Sequence, residues 1–187
     1  MKILGNSIYL LPFAEENFND AYISWLGDFE VIKYLGRDEY FSPTPKSEIY
    51  RYVQEMWDSK FIYFFAIYLK DNNRFIGTAK INFLNDRGLK NKICDIGIMI
   101  GDRVSWGKGL ASETINIVSK YAFEDLDARK LSAGAIAENI AVIKAFKKNG
   151  FIEEAKLRKT VNVQGKFFDH ILLGCFRGEL RGDLTSI

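Results

Sequence analysis

Apolar side chains recur along the chain in two rhythms, and the places where one gives way to the other mark out its elements. Alternation over residues 7–11 predicts a short first strand. Over 15–26 the residues Phe18, Ala21, Tyr22, Trp25 and Leu26 fall at helical spacing and predict a first helix. Pro43 and Pro45 mark a loop, with Thr44 or Ser47 placed to cap a second helix running to about Asp58. Aromatic and β-branched runs follow at 61–69, 74–84 and 93–100. The turn Lys70-Asp71-Asn72-Asn73 and the polar stretch 85–92 separate them, which predicts an antiparallel meander.

The second half alternates between the two rhythms. Gly107-Lys108-Gly109 leads into a predicted helix over 110–123, with Ile115, Val118 and Ala122 on one face. A strand is predicted at 130–135 and a helix at 139–149, closed by Gly150 as a left-handed C-terminal cap. Residues 151–163 and 166–176, joined across Gln164-Gly165, read as a closing hairpin. The order β-α-α-β-β-β-α-β-α-β-β implies a mixed sheet with helices on both faces, class α/β or α+β. No repeat and no flexible linker interrupts it, so one domain over 1–187 is expected.

Composition narrows the function classes. The chain has 187 residues, 48% of them apolar and 27% charged, the balance of a globular protein with one sizeable core. The longest apolar stretch near the start, residues 8–13, contains Pro12 and is followed by Glu15 and Glu16. It is too short for a leader or a membrane span, which points to the cytoplasm and to no membrane partner. Cys94 and Cys175 lie far apart without metal-ligand spacing, and His170 is the single histidine, so no metal site is expected and two buried, reduced thiols are. Residues 1–60 carry ten acidic against six basic side chains, which leaves the remainder at +6. A basic body suits an anionic cosubstrate, and an acidic front third suits a cationic acceptor such as an amine. No basic run interleaved with aromatics supports nucleic-acid binding.

The segment richest in chemistry runs from Asp95-Ile96-Gly97-Ile98-Met99-Ile100 into Trp106-Gly107-Lys108-Gly109-Leu110-Ala111-Ser112-Glu113. A strand feeds a glycine-bearing loop that opens a helix. The first turn of a helix has unpartnered N–H groups and a dipole that favours negative charge. Glycines at 107 and 109 let that backbone approach a phosphate, so the segment reads as an anion site for a pyrophosphate. It lacks the spacing of a Walker loop and of the three-glycine dinucleotide fingerprint.

Together with its surroundings this segment resembles the GNAT superfamily, in particular its ribosomal-protein and amino-sugar N-acetyltransferase branch. The likeness is carried by Trp25-Leu26-Gly27-Asp28, by Phe75-Ile76-Gly77, by the Trp106 to Glu113 run and by Asn139 followed by Asn149-Gly150-Phe151. Asp169 after Gly165 also matches. The resemblance implies that the predicted fourth and fifth strands splay apart, with Gly97 as a bulge that separates them. It implies that acetyl-CoA, the cosubstrate, lies along Met99 and Ile100, and that amides of Val104, Ser105, Trp106, Gly107, Lys108, Gly109 and Leu110 bind its pyrophosphate. Asn139 and Phe146 complete the cosubstrate contacts, with Lys144 or Lys147 near its adenosine phosphates. It implies a backbone donor at Met99 or Ile100 for the thioester carbonyl, and acetyl transfer to a small-molecule amine, such as an amino sugar or nucleotide-linked amino sugar. A peptide N-terminus of ribosomal-protein type is the second acceptor class.

Two departures stand out. Val104 replaces the usual Arg or Gln that opens the loop, and Phe146 and Val142 occupy places where related enzymes carry a hydroxyl acid. No general acid is visible, which keeps open a non-catalytic acyl-CoA-binding module as an alternative. Asp95 is the candidate base, its rival role being a surface carboxylate paired with Lys80 or Lys92. Glu113 is a second catalytic candidate, its rival role being to stabilise the helix dipole. Phe29, Tyr34, Tyr40 and Phe41, with Asp28, Glu30, Asp38 and Glu39, read as an acceptor wall. A homodimer is compatible with the pattern, and the sheet edges that would decide it are not visible in a sequence.

Overall fold

The computed structural model describes residues 1–35 and 44–182. Its strands are β1 (Ile3–Leu4), β2 (Ile8–Pro12), β3 (Ile62–Leu69), β4 (Phe75–Asn82), β5 (Ile93–Ile100), β6 (Lys130–Ile136), β7 (Ile152–Val163) and β8 (Lys166–Phe176). They form one sheet in the order β1-β2-β3-β4-β5-β6-β8-β7. Every pair is antiparallel except β5 with β6. The predicted meander is β3-β4-β5, and the added β1 makes the predicted fourth and fifth strands β5 and β6. Helices lie on both faces, so the mixed α/β architecture is as expected.

The helices divide by face. α1 (Asp20–Gly27), α2 (Phe29–Ile32) and α3 (Lys46–Asp58) build an aromatic cluster around Phe13, Tyr22, Trp25 and Val53. α5 (Leu110–Glu124) and α6 (Ile140–Lys148) cover the other face, where Ile115, Val118, Phe123, Ile143 and Phe146 meet Ile81, Cys94, Ile96, Leu131 and Leu173. Burying these side chains is the main favourable term in folding. α4 (Asp86–Asn91) is a short helix beside β5.

Several local expectations change. The first helix begins later than predicted, because Glu15–Asn17 forms a 3-10 turn and the Asn19 side chain accepts from the Tyr22 N–H to cap α1. Pro45 occupies the N-cap of α3, and neither Thr44 nor Ser47 supplies a side-chain cap. The polar stretch 85–92 folds as α4, capped by Asn85 and ended by Lys92 in the left-handed conformation. Gly97 is no bulge: the β4–β5 register runs unbroken through Lys80↔Gly97. The irregularity sits instead at the end of β4, where Ile67 pairs Gly77 and Tyr68 pairs Phe75. Gly77 is required there, since a Cβ would meet the Met99 carbonyl oxygen.

The two thiols are free and buried, and burial pushes each up to about 12. Cys94 and Cys175 both pair with Leu131, from opposite sides of β6, so a whole strand separates them. No helix among the described residues is long and apolar enough to cross a membrane.

Candidate active site

β5 and β6 run together for only three pairs, Ile93↔Lys130, Cys94↔Leu131 and Asp95↔Ser132, and then part. Beyond Asp95 the edge of β5 faces a gap. Which backbone groups face it follows from the antiparallel alternation with β4. The Gly101 N–H donates to the Ile76 carbonyl at 2.9 Å, and the Met99 carbonyl lies against Gly77. Met99 and Gly97 therefore turn their polar groups toward β4, while Ile96, Ile98 and Ile100 turn theirs into the fork.

A cavity of about 240 Å³ passes through this fork. Gly134, Ala135, Asn139, Val142 and Phe146 line it from β6 and α6, and Tyr22, Tyr34, Tyr52 and Phe64 line it from the opposite face. Asn139 accepts from the Val142 N–H at 3.3 Å as the N-cap of α6. Its amide Nδ2 has no hydrogen-bond acceptor among the described residues. Phe146 is buried against Phe151, with ring centroids 4.9 Å apart.

The loop after β5 is tied down before it reaches α5. Asp102 accepts from the Ser105 hydroxyl at 2.6 Å and pairs with Arg74 at 2.9 Å. The N–H groups of Ser105 and Trp106 bond back to Asp102 and Arg103. The Trp106 indole Nε1 donates to the Ile100 carbonyl at 2.7 Å. Gly107 and Gly109 then adopt φ of 74° and 78°, with open space where a side chain would stand. The amides of residues 107–112 have no backbone partner among the described residues. A left-handed pair of glycines thus presents a helix N-terminus as a row of donors.

On the face covered by α1–α3, alternate residues of the central strands are polar. Lys80 lies over Gly97, where a Cβ would stand 3.9 Å from the lysine Cε. Asp95 follows two residues before Gly97 on the same face. Its carboxylate accepts from the Ser132 hydroxyl at 3.3 Å. His170, packed on Gly134, completes the row. Burial pushes the Asp95 carboxyl above its ordinary range, against the opposing pull of Lys80, the Ser132 hydrogen bond and His170.

The decisive comparison is with family models: the acetyltransferase (GNAT) domain matches residues 7–152. The chain belongs to the GNAT acetyltransferase family. It is an N-acetyltransferase, with acetyl-CoA as cosubstrate. A probable N-acetyltransferase, YjcK, of Bacillus subtilis is 28% identical over 173 residues, 90% of this chain and 93% of that one. An uncharacterized N-acetyltransferase, p20, of Bacillus licheniformis is 25% identical over 87% of this chain and 89% of its own. Among solved structures, the spermidine N-acetyltransferase from Vibrio cholerae, in complex with CoA and spermine, superposes with a TM-score of 0.81. It is 17% identical, over 92% of this chain and 97% of that one. A ribosomal L7/L12 alpha-N-protein acetyltransferase in complex with coenzyme A gives 0.80 at 17% identity, over 94% and 98%. Both show the GNAT fold.

The fork and the loop fit the thioester arm and the pyrophosphate of acetyl-CoA. The open amides from Gly107 to Leu110 and the inward backbone of Ile98 and Ile100 are the donors this GNAT domain offers. Several residues expected in the site do other things. Met99 is directed to β4, so its side chain lines the cavity while its N–H does not face it. The Ser105 and Trp106 amides are consumed by their turn, and Val104 is exposed. Lys147 pairs with Glu153 at 2.7 Å, leaving Lys144 exposed on α6.

Glu113 departs furthest from expectation. Its Oε1 accepts from the Ser7 N–H at 2.7 Å and the Ile8 N–H at 3.3 Å, which pins the start of β2 to α5. It does not line the cavity. Of the acceptor wall, Tyr34 lines the cavity, while Asp28 pairs with Arg103 and Glu30 with Lys33. Tyr40, Phe41, Asp38 and Glu39 lie outside the described residues. Lys80, Ser132 and the tyrosines Tyr22 and Tyr52 were not expected in the site. A polar residue at every second place of an apolar strand was the signal for the first two.

Proposed function

We propose that the protein acetylates a small primary amine held in the cavity above β4 and β5, with Asp95 receiving the ammonium proton. The observation that carries this is the partly buried Asp95 carboxyl beside the mouth of the fork, which burial makes a stronger proton acceptor than an exposed carboxylate, against the opposing pull of Lys80, Ser132 and His170. Asp95 stands outside the cavity lining, so in this reading the proton reaches it through water.

Acetyl-CoA supplies an activated acyl carbonyl. The Ile98 and Ile100 N–H groups, facing the fork, are placed to polarise that carbonyl, and such preorganised donors stabilise developing negative charge. The amine nitrogen bonds the carbonyl carbon and the carbon–sulfur bond breaks. Phe146 and Val142 carry no hydroxyl, so the proton remaining on nitrogen passes to the departing sulfur directly or through water. The chain's remaining contribution is to hold amine and thioester together.

An amino sugar, free or nucleotide-linked, is the acceptor class we favour. Its support is the wall of Tyr22, Tyr34, Tyr52 and Phe64, broad aromatic faces of which the three tyrosines carry hydroxyl groups, with Thr78 also in the lining. The V. cholerae neighbour acts on spermidine and the other neighbour on a ribosomal protein N-terminus. A polyamine calls for carboxylates, and no Asp or Glu lines the cavity among the described residues.

The test is release of free CoA from acetyl-CoA across amino sugars, nucleotide-linked amino sugars, polyamines and N-terminal peptides, with wild type and Asp95→Asn side by side. Turnover with an amino sugar, lost in the variant at unchanged CoA affinity, is the expected result. Turnover retained in Asp95→Asn removes Asp95 from the role.

A further inference from the structure

Lys80 is the charged residue of the cavity lining, and among the described residues it has no ion pair within 4 Å. It is half-buried, and its stem crosses the bare backbone of Gly97. The nearest carboxylate does not neutralise it at contact distance. Asp95 leans away, over β6, to accept from Ser132, and it meets Lys80 only through longer-range attraction. A cation partly withdrawn from water with no partner is costly.

We propose that Lys80 is the docking group for an oxyanion on the acceptor: the substrate is a primary amine that also carries one carboxylate or phosphate. This rests on the acetyl-transfer reading and narrows its acceptor. The acceptor's anion completes the charge of the site. It neutralises Lys80 while the body of the molecule lies against Tyr22, Tyr34 and Tyr52. The amine end is then directed along β5 toward the fork. Charge should then also select against polyamines, whose second cation would meet the Lys80 ammonium.

Matched acceptors test this, each pair differing only in the anion: glucosamine 6-phosphate against glucosamine, and phenylalanine against phenylalanine amide. The phosphate and carboxylate arms tell the two sources of the oxyanion apart. Two readouts run in parallel, CoA release and the shift of melting temperature on adding each amine to the CoA-loaded protein. In at least one pair we expect the anionic member to be favoured at least tenfold in kcat/KM and to give the larger shift. Lys80→Met should collapse that ratio to within about twofold, and Lys80→Arg should keep most of it. Ratios near one in both pairs, or a preference that survives Lys80→Met, overturn the proposal. So does an equal loss for both members in Lys80→Met, which would place Lys80 in the reaction and not in acceptor docking. If no amine turns over while CoA binds, the acetyl-transfer reading fails by itself. The melting shifts then still decide whether Lys80 holds an anion.

Discussion

The indole N–H of Trp106 donates to the carbonyl oxygen of Ile100 at 2.7 Å, fastening the glycine loop to the inward edge of β5. This bond joins the Asp102 contacts with Ser105 and Arg74 in holding the amides at the helix N-terminus beside the strand at the fork. Trp106→Phe keeps an aromatic ring under Arg103 but removes the donor. A neutral hydrogen bond contributes about 0.5–1.5 kcal/mol, so CoA affinity should weaken by roughly 2- to 10-fold. Trp106 is 40% exposed, and the melting temperature should scarcely change. Calorimetric titration of CoA with a parallel thermal melt checks both.

Asp95 makes a prediction about rate. Removing a general base costs roughly 10²–10⁴-fold, and Asp95→Asn should lose kcat/KM on that scale while CoA affinity holds. In the wild type the rate should fall as pH drops through the raised Asp95 pKa, because the base is then protonated. His170 on β8 and Lys80 on β4 face the same carboxyl and oppose the upward shift, so Lys80→Met should move that limb to higher pH. A pH–rate profile of the three proteins decides it.

The same group makes a prediction about stability. A carboxyl whose folded pKa is raised binds its proton more tightly when folded than when unfolded. The folded state is then favoured at low pH, and that advantage is lost as pH rises from the ordinary 3.8 through the raised value. Asp95→Asn should therefore melt higher than wild type at pH 7 and approach it near pH 3. Equal melting temperatures at pH 7 would contradict the shift.

Gly109 tests backbone conformation apart from space. Nothing lies within 4 Å of the place its Cβ would take, yet its φ is 78°. Gly109→Ala should cost about 1–2 kcal/mol in urea unfolding through strain alone, with weaker CoA binding as the loop amides swing away. Gly109→Asn should be milder, since asparagine tolerates the left-handed region.

Glu113 holds two backbone N–H groups of the β1–β2 turn. Glu113→Ala should lose about 1–2 kcal/mol of stability, as befits charge-assisted bonds. Its kcat should stay within about twofold of wild type. A large fall in kcat at preserved stability would return Glu113 to the reaction.

Much of the architecture was legible because it rests on local rules. The 3.6-residue rhythm from Leu110, the glycine pair before it and the Gln164-Gly165 turn, with φ of 51° and 79°, act within a few residues. What escaped depended on pairings far apart in sequence. Glu113 looks like a dipole-stabilising or catalytic residue until Ser7 and Ile8 are seen to reach it across 106 and 105 positions. Met99 and Ile100 were indistinguishable as donors until the contact of Gly77 fixed which of them turns toward β4. The separation of β5 from β6 was expected, but from a bulge at Gly97. It arises with register intact, where the parallel ladder ends after Asp95↔Ser132.

Among the described residues that three-pair ladder is the strand pairing that joins β1–β5 to β6–β8, continued by the Arg129 and Lys130 N–H groups donating to the Lys92 carbonyl. A molecule lodged in the fork is held by the folded chain and released by the unfolded one. Each tenfold rise in its free concentration above the dissociation constant therefore adds about 1.4 kcal/mol to folding. The melting temperature should therefore climb with the logarithm of the free acetyl-CoA concentration.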